Sequence, residues 1–507
     1  MKQTLGDLVE SAAATMPAGL AIVDPLRERT LTWRELAAHS SVVAGWLRGQ
    51  GLRKGDRVLL LLDEQAETIV SHVAIARAGL VAVPVSYRLK ADEIERICAT
   101  VDPAAIVFAE ELSERAVATF DHLSGAGVKV VVGGPSSGVT TWADVLVSDA
   151  TPMVDDAQPD DLVVLGFTSG TTGQPKPIPL EQRAVREGAR RGALAYGLPL
   201  YGTAIMTASM TFLAAITTHL WAHLWMRSTI VLVGRYDLKR QFELVEQYGG
   251  TFTYVPTPAI RDATELLRAR PEAASSLHVI NLGGSILPPD DVRDLVGVAG
   301  DCVVATYGLS EGTGAPLCRA GTREWAEAGW QSAGRPVPPT VLEIVDAEGN
   351  ALPMNGETVG ELRARVDTTM RSADDGGPVA GDWLLTGDLA SIDENGYVTI
   401  RGRSRDVIIS GGINVYPAEV ERVLSAAPGL RECAVIGAPD ARWGETVVAF
   451  IVAAEDAPDG ELSVMVADYV KERLATYKCP TRYVVVPELP RNSNGKVVKS
   501  ELAEIGR

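Results

Sequence analysis

The 507-residue sequence predicts an α/β protein: a large N-terminal layered α/β body closed by a β-rich subdomain, then a small α+β C-terminal domain. Three observations predict it. The chain is longer than one hydrophobic core usually organises, so at least two domains are expected. Short apolar runs alternate with amphipathic helical periods up to about residue 306, as parallel strands joined by crossover helices require. Beyond about Gly334 that alternation gives way to strands separated by Gly, Asp and Pro turns.

In chain order, residues 34–47 read as a helix, 57–62 as a buried strand, 67–78 as a helix and 81–85 as a strand. The apolar run 162–167 is another strand. The alternation resumes over 204–226, 229–233, 238–248 and 251–255, with strands at 279–282 and 303–306. Residues 341–345, 360–364, 383–386 and 397–400 form the β-rich part. From Arg405 on, a helical stretch 417–426, strands 433–436 and 447–452, a helix 463–474 and a strand 482–485 make a compact α+β unit. The expected domains are therefore 1–404 and 405–507.

Composition narrows the function classes. With 46% hydrophobic and 22% charged residues the chain is an ordinary globular protein. Its net charge of -18 repels phosphate backbones and anionic lipid headgroups, so a nucleic-acid role is disfavoured. The five cysteines are odd in number and scattered, without zinc-site or disulfide spacing, which fits a reducing cytoplasm. No apolar run resembles a signal peptide or a bilayer span, so a soluble cytoplasmic protein is expected.

The densest local signal is Thr168-Ser169-Gly170-Thr171-Thr172-Gly173-Gln174-Pro175-Lys176, directly after an apolar strand. Small residues let backbone N–H groups approach a polyphosphate, hydroxyls add donors and Lys176 adds positive charge. It is not a Walker loop: Pro175, Pro177 and Pro179 forbid the helix that must follow one, and Pro177 replaces its magnesium-holding hydroxyl.

Together with this loop, ordered segments along nearly the whole chain resemble the acyl-adenylate-forming superfamily of acyl-CoA synthetases, adenylation domains and luciferases. These are Gly283-Gly284-Ser285, Thr306-Tyr307-Gly308-Leu309-Ser310-Glu311, Gly334-Arg335-Pro336, Gly360-Glu361, Thr386-Gly387-Asp388, Gly402-Arg403-Ser404-Arg405-Asp406, the run 411–421 and Asn494-Gly495-Lys496. The resemblance implies two helix-flanked sheets in the body (1–404, the AMP-binding adenylation domain) and a mobile C-terminal lid (405–507). It implies ATP and Mg²⁺ as cofactors, a carboxylic acid as substrate and coenzyme A as cosubstrate. The acid would first become acyl-AMP with release of pyrophosphate, then a thioester.

The resemblance also assigns residues. Thr168, Ser169, Gly170, Thr171, Thr172, Gly173 and Lys176 would hold the phosphates, with Gly284, Ser285, Thr306, Gly308 and Ser310 beside the nucleotide. Tyr307 offers its ring to adenine, Asp388 and Arg403 would bind the ribose, and Glu311 with Thr168 would hold Mg²⁺. Lys496 would bridge the attacking carboxylate and the α-phosphate; the carboxylate is already a nucleophile, so no general base is needed. Arg405 matches the hinge, where Asp or Lys is commoner. Gly411, Gly412 and Trp443 match the coenzyme A tunnel. Met210, Phe212, Leu213, Gly283 and Leu309 would line the acid pocket. Leu213 stands where amino-acid-activating relatives carry Asp, so a buried ammonium would lack a partner and an apolar, non-amino acid is expected.

Three points resist the simple reading. Gly308-Leu309-Ser310-Glu311-Gly312 also matches the Gly-x-Ser-x-Gly elbow of α/β-hydrolases, yet all six histidines precede Ser310, and that triad needs one after it. A binding module that only senses nucleotide is the other alternative, against which Lys496 and Glu311 argue. Cys479 stands in the turn Tyr477-Lys478-Cys479-Pro480 where many coenzyme A ligases have Arg. Either Lys478 or Arg482 compensates, or the adenylate passes to a carrier protein or partner enzyme. A homodimer is compatible with the sequence, which does not fix the oligomeric state.

Overall fold

The computed structural model describes residues 3–116, 127–134, 138–153, 155–169, 175–366, 379–380, 383–454, 457, 462–491 and 497–505. Among them the N-terminal body contains two large sheets. In the first, the strands run in the order Thr140–Thr141, Val128–Val132, Ala105–Ala109, Arg57–Leu61, Val81–Pro84, Leu162–Ser169, Pro175–Glu181. Its pairs are parallel except the last, which is antiparallel. The proline-rich stretch after the phosphate loop is therefore an edge strand. Pro175, Pro177 and Pro179 alternate, so the ladder loses no donor if the missing N–H groups all face the open edge.

The second sheet follows the order Arg335–Pro336, Pro316–Ala320, Val303–Gly308, Val279–Gly283, Phe252–Pro256, Thr203–Met206, Thr229–Leu232, Leu20–Asp24, Arg29–Thr32. It is parallel from Val303–Gly308 through Leu20–Asp24 and antiparallel at both edges. One continuous core joins the two sheets. It takes Leu60, Ala82 and Val164 from the first, Met206, Phe252 and Val304 from the second, and helix residues such as Ile69, Val185 and Trp221 between them. Helix Ala66–Arg77 is buried along its entire length, as a helix in that middle layer must be. Val303, Ala305 and Leu282 serve a separate core on the far face of the second sheet.

The β-rich subdomain pairs Val341–Val345, Gly360–Arg365, Trp383–Ile392 and Val398–Arg403 antiparallel. The C-terminal lobe has strands Ile413–Val415, Ile408–Ser410, Gly444–Ala453 and Leu430–Asp440, with Arg482–Val485 added parallel to Gly444–Ala453. Helices Pro417–Ser425 and Leu462–Lys471 cover it. Arg261, on the body helix Ile260–Ala269, ties the two parts together. It donates to the carbonyls of Ser425 (3.2 Å) and Leu430 (3.4 Å) while pairing with Asp291 at 2.8 Å. The expected α/β class and the small C-terminal domain are as the sequence predicts. The strands Leu20–Asp24 and Arg29–Thr32 are an addition to the expected elements.

The stretch after Thr203–Met206 also differs from a plain helix. Residues 215–221 form a π-helix, Ala215–Trp221, continuing into the α-turn Ala222–Trp225. Its widened turns face the middle layer, where every residue from Ala215 to Leu224 is buried.

Candidate active site

Successive side chains on strand Val303–Gly308 point to opposite faces, and this alternation divides the site in two. Tyr307 faces the β-rich subdomain and donates its hydroxyl to Asp388 Oδ2 at 2.5 Å. Arg403 grips the other carboxylate oxygen through Nε at 2.9 Å, and its Nη1 donates to the Thr386 carbonyl at 3.1 Å. Asp388 and Arg403 are direct partners across neighbouring strands, while Thr386 Oγ1 caps the Asp388 N–H at 3.1 Å. Asp388 is almost fully buried; burial and that carboxylate together push the Tyr307 phenol well above its ordinary pKa.

Beyond Tyr307 the chain turns sharply. A Cβ on Gly308 would lie 2.6 Å from the Ala315 carbonyl, so only glycine fits there. Ser310–Gly312 is a single 3₁₀ turn, after which the chain returns as the antiparallel strand Pro316–Ala320. The strand–turn–helix of a hydrolase elbow is therefore not formed around Ser310. Leu309 is buried in the subdomain core. Glu311 is half-buried and makes no hydrogen bond or ion pair with another described residue. A lone carboxylate of this kind suits Mg²⁺, which binds through one or two carboxylates plus phosphate oxygens and keeps several waters. No cluster of three or more His, Cys, Asp or Glu among the described residues offers an alternative metal site.

The phosphate-loop residues Gly170, Thr171, Thr172 and Gly173 lie outside the described residues, as does Lys496. The ends of the loop are described: Thr168 pairs in register with Lys176, and Ser169 with Pro175. Lys176 is exposed. Residues Arg491 and Val497, flanking Lys496, form a bridge to each other. Gly283 and Gly284 end the neighbouring strand, Gly284 with φ +88°, and Ser285 Oγ donates to Thr257 Oγ1 at 2.8 Å.

On the opposite face, Thr306 points into the middle layer and reaches Asn281 Oδ1 at 3.3 Å. Tyr196, at the end of helix Gln182–Tyr196, meets Thr218 Oγ1 at 3.0 Å. Tyr254 donates to the Gly283 carbonyl at 3.2 Å and packs its ring 5.4 Å from that of His219. Leu213 lies against strand Leu162–Ser169: a Cβ on Gly166 would fall 2.5 Å from its side chain. Met210 donates its N–H to the buried carboxyl of Glu64 at 3.2 Å, and burial raises the pKa of that carboxyl. Phe212 is partly buried beside them. Tyr196, Thr218, Tyr254, Asn281 and Glu64 belong to no motif of their own, so no pattern of residues marks them in advance.

The lobe residues form a separate group. Gly411 and Gly412, with φ +59° and +81°, make the two-residue hairpin between Ile408–Ser410 and Ile413–Val415. Gly411 donates its N–H to the Trp443 carbonyl at 2.8 Å, and its own Cβ would strike the Trp443 ring at 2.8 Å. Arg405 is exposed and 3.6 Å from Asp406. Lys478 is held by Glu419 at 2.7 Å, while the Cys479 thiol faces the carbonyls of Leu474 and Ala475. A cavity of about 410 Å³ bounded by Asp24, Glu28, Arg240 and Tyr248 includes none of the predicted site residues.

Residues 9–372 match the protein family described as AMP-binding enzyme, and residues 419–496 match the AMP-binding enzyme C-terminal domain. The chain is 31% identical over 494 residues to a fatty acid–[acyl-carrier-protein] ligase of Streptomyces coeruleorubidus, covering 94% of this chain and 92% of that protein. It is 30% identical over 512 residues to an indoleacetate–CoA ligase of Aromatoleum aromaticum, covering 99% and 98%. Among solved structures it is similar to an anthranilate CoA ligase in complex with anthranoyl-AMP, with a TM-score of 0.89, 26% identity and 99% and 98% of the two chains covered.

Proposed function

The chain belongs to the AMP-binding enzyme family of the acyl-adenylate-forming superfamily, and from that premise we propose that it activates a carboxylic acid with ATP, forming acyl-AMP and pyrophosphate. The observation that carries this reading is the Tyr307–Asp388–Arg403 constellation, a buried carboxylate of the β-rich subdomain held by its cross-strand arginine and by a tyrosine near the end of a parallel strand. Asp388 accepts the ribose hydroxyls, Arg403 fixes its orientation, and the Tyr307 ring lies along adenine. Thr168, Ser169 and the glycines and threonines after them cradle the phosphates, with Gly284, Ser285 and Ser310 on the nucleotide's other side.

One acid oxygen attacks the α-phosphorus in line, and the P–O bond to pyrophosphate breaks. Glu311 and Thr168 would hold Mg²⁺, which would supply positive charge to offset that of the phosphates. Lys496 pairs with the acid carboxylate and an α-phosphate oxygen, so the protein's share of catalysis is alignment and charge compensation. The body 1–404 supplies the cleft; the lobe 405–507 supplies the lysine and turns about Arg405 for the second half-reaction. There the thiolate of coenzyme A, approaching past Gly411, Gly412 and Trp443, displaces AMP and gives the thioester. One observation favours a second acceptor. Lys478 is engaged by Glu419 and Cys479 carries no charge, so a coenzyme A nucleotide gains little there, and a carrier-protein thiol needs no such contact.

A pyrophosphate-release screen over aliphatic, aryl and polycyclic acids tests both steps, run alone, with coenzyme A and with a phosphopantetheinylated carrier protein. Acid-dependent release is expected, with AMP discharge accelerated by one thiol acceptor. Absence of acid-dependent release across the whole panel removes the reading.

A further inference from the structure

The two residues proposed to hold Mg²⁺ stand on different sheets. Thr168 is near the end of strand Leu162–Ser169 of the first, and Glu311 lies on the turn that leaves strand Val303–Gly308 of the second. Neither sheet by itself fixes the span between them. Helix Gln182–Tyr196 crosses that gap. It follows directly on Pro175–Glu181, the antiparallel partner of the strand bearing Thr168, and its second half meets the chain just beyond Glu311.

The contact is made by Arg191, a buried arginine whose Nη2 donates to the Gly312 carbonyl at 3.0 Å and to Thr313 Oγ1 at 3.3 Å. Three residues earlier, on the same helix face, Gly188 brings bare backbone against the same threonine: a Cβ there would fall 2.8 Å from Thr313 Oγ1. Thr313 is itself fully buried with φ +71°, a left-handed conformation that a β-branched residue holds only where its surroundings impose it. The N–H groups of Gly312 and Thr313 close the turn on the carbonyls of Leu309 (3.1 Å) and Ser310 (3.0 Å), which confines the backbone of Glu311 between them. A guanidinium is costly to bury, and an apolar side chain would fill the same space. What Arg191 adds is a rigid planar set of donors aimed at this turn.

Building on the adenylation reading, we infer that Arg191 is a positioning residue for the metal: it holds the turn that carries Glu311 at a fixed span from the phosphate-loop strand, so that one cation is met from both sheets at once. Mg²⁺ demands near-ideal octahedral geometry and takes few protein groups, so its binding is sensitive to where a single carboxylate stands. Groups that orient a ligand from behind govern metal affinity nearly as strongly as the ligand itself. Adenine and ribose are assigned to Tyr307, Asp388 and Arg403, which hold one another by contacts of their own. Loss of Arg191 therefore acts on the metal-dependent part of nucleotide binding and spares the rest.

The test is ATP binding by the full chain, measured by calorimetry without acid so that nothing turns over, once in excess Mg²⁺ and once in EDTA. The wild type should bind about tenfold or more tightly with Mg²⁺; Arg191→Met should reduce that ratio to about twofold or less while its affinity in EDTA stays within about twofold of wild type. Arg191→Lys, which keeps the charge without the planar donors, should recover part of the ratio. Thr313→Gly removes the acceptor hydroxyl at a backbone conformation that glycine adopts freely, so it decides the matter where Arg191→Met does not fold, and it should lower the ratio in the same way. Arg190→Gln, an exposed neighbour on the same helix, should keep the wild-type ratio. A wild-type affinity indifferent to Mg²⁺, Arg191 and Thr313 variants that keep the full ratio, or equal losses with and without Mg²⁺ would overturn the inference and leave adenylation standing. A wild type that binds no ATP under either condition would instead remove the adenylation reading itself.

Discussion

The layer between the two large sheets and the C-terminal lobe hold their site residues by opposite means. In the body, Asp388 is fixed by Tyr307, Arg403 and the Thr386 hydroxyl, and Thr306 by Asn281, all on strands or strand ends that cannot move independently. In the lobe, Trp443 is 47% exposed and a Cβ on Gly412 would meet nothing within 4 Å. Arg261 of the body reaches the lobe through two carbonyl contacts at 3.2 and 3.4 Å. Under the proposed mechanism the difference amounts to a division of labour: a preorganised body would bind the nucleotide, and the lobe would deliver the charge that completes the chemistry.

The sharpest way to break that division is Lys496→Ala. Removing a positively charged donor that acts only on the reacting groups should lower acid-dependent ATP–pyrophosphate exchange about a thousandfold. ATP affinity, measured by calorimetry, should weaken far less, because Asp388, Arg403 and Tyr307 remain. Unchanged exchange would take the lysine out of the mechanism; equal loss of binding and exchange would mean that the lobe, not the body, holds the nucleotide.

What the sequence made legible follows the same line. Strands such as 57–62 and 279–282 were readable because burial on both faces leaves an unbroken apolar run. Asp388 and Arg403 were readable only as members of an ordered set, and the structure makes them cross-strand partners. The π-helix was not readable: its residues suit an α-helix equally well, and only packing between two sheets selects the wider turn. Nor were Tyr196 and Asn281, each an ordinary residue whose meaning comes from its partner, Thr218 on the π-helix for the first and Thr306 on the neighbouring strand for the second. The three alternating prolines excluded a helix in the sequence, and their edge strand became visible only with its neighbour, Leu162–Ser169.

A second experiment separates the lobe's two tasks. Both glycines of the 411–412 hairpin have positive φ, so any side chain at Gly412 strains the turn by about 1–2 kcal/mol. Gly412→Ala carries that strain without bulk, whereas Gly412→Leu adds a side chain where the thiol arm would pass. Thioester formation, followed by AMP release with coenzyme A, should fall about a hundredfold more in Gly412→Leu than in Gly412→Ala. Pyrophosphate exchange should be the same in both. If the two half-reactions fall together in Gly412→Leu, the loop serves adenylation as well.

The smallest expected effect distinguishes body from lobe by pH. All the histidines precede Ser310, and His72, His219 and His223 are buried in the body, with pKa values pushed down to about 4, about 3 and about 3 from an ordinary 6.5. Between the folded and unfolded values, the unfolded chain binds protons that the folded chain refuses. The body's stability is therefore intact above about 6.5 and is lost progressively as the pH falls toward the folded values. For His72, whose Nε2 has no hydrogen-bond partner among the described residues, this amounts to about 2 kcal/mol at about pH 5. His72→Leu should thus flatten the fall in melting temperature between about pH 7 and about pH 5 by that share, as read by calorimetry. The lobe, with no histidine after residue 404, should show no acid-sensitive step in this window when its own unfolding is followed by hydrogen exchange at Val448 and Phe450. Loss of lobe protection over the same pH range, with the body intact, would show that the acid-sensitive groups lie outside the histidine-bearing layer.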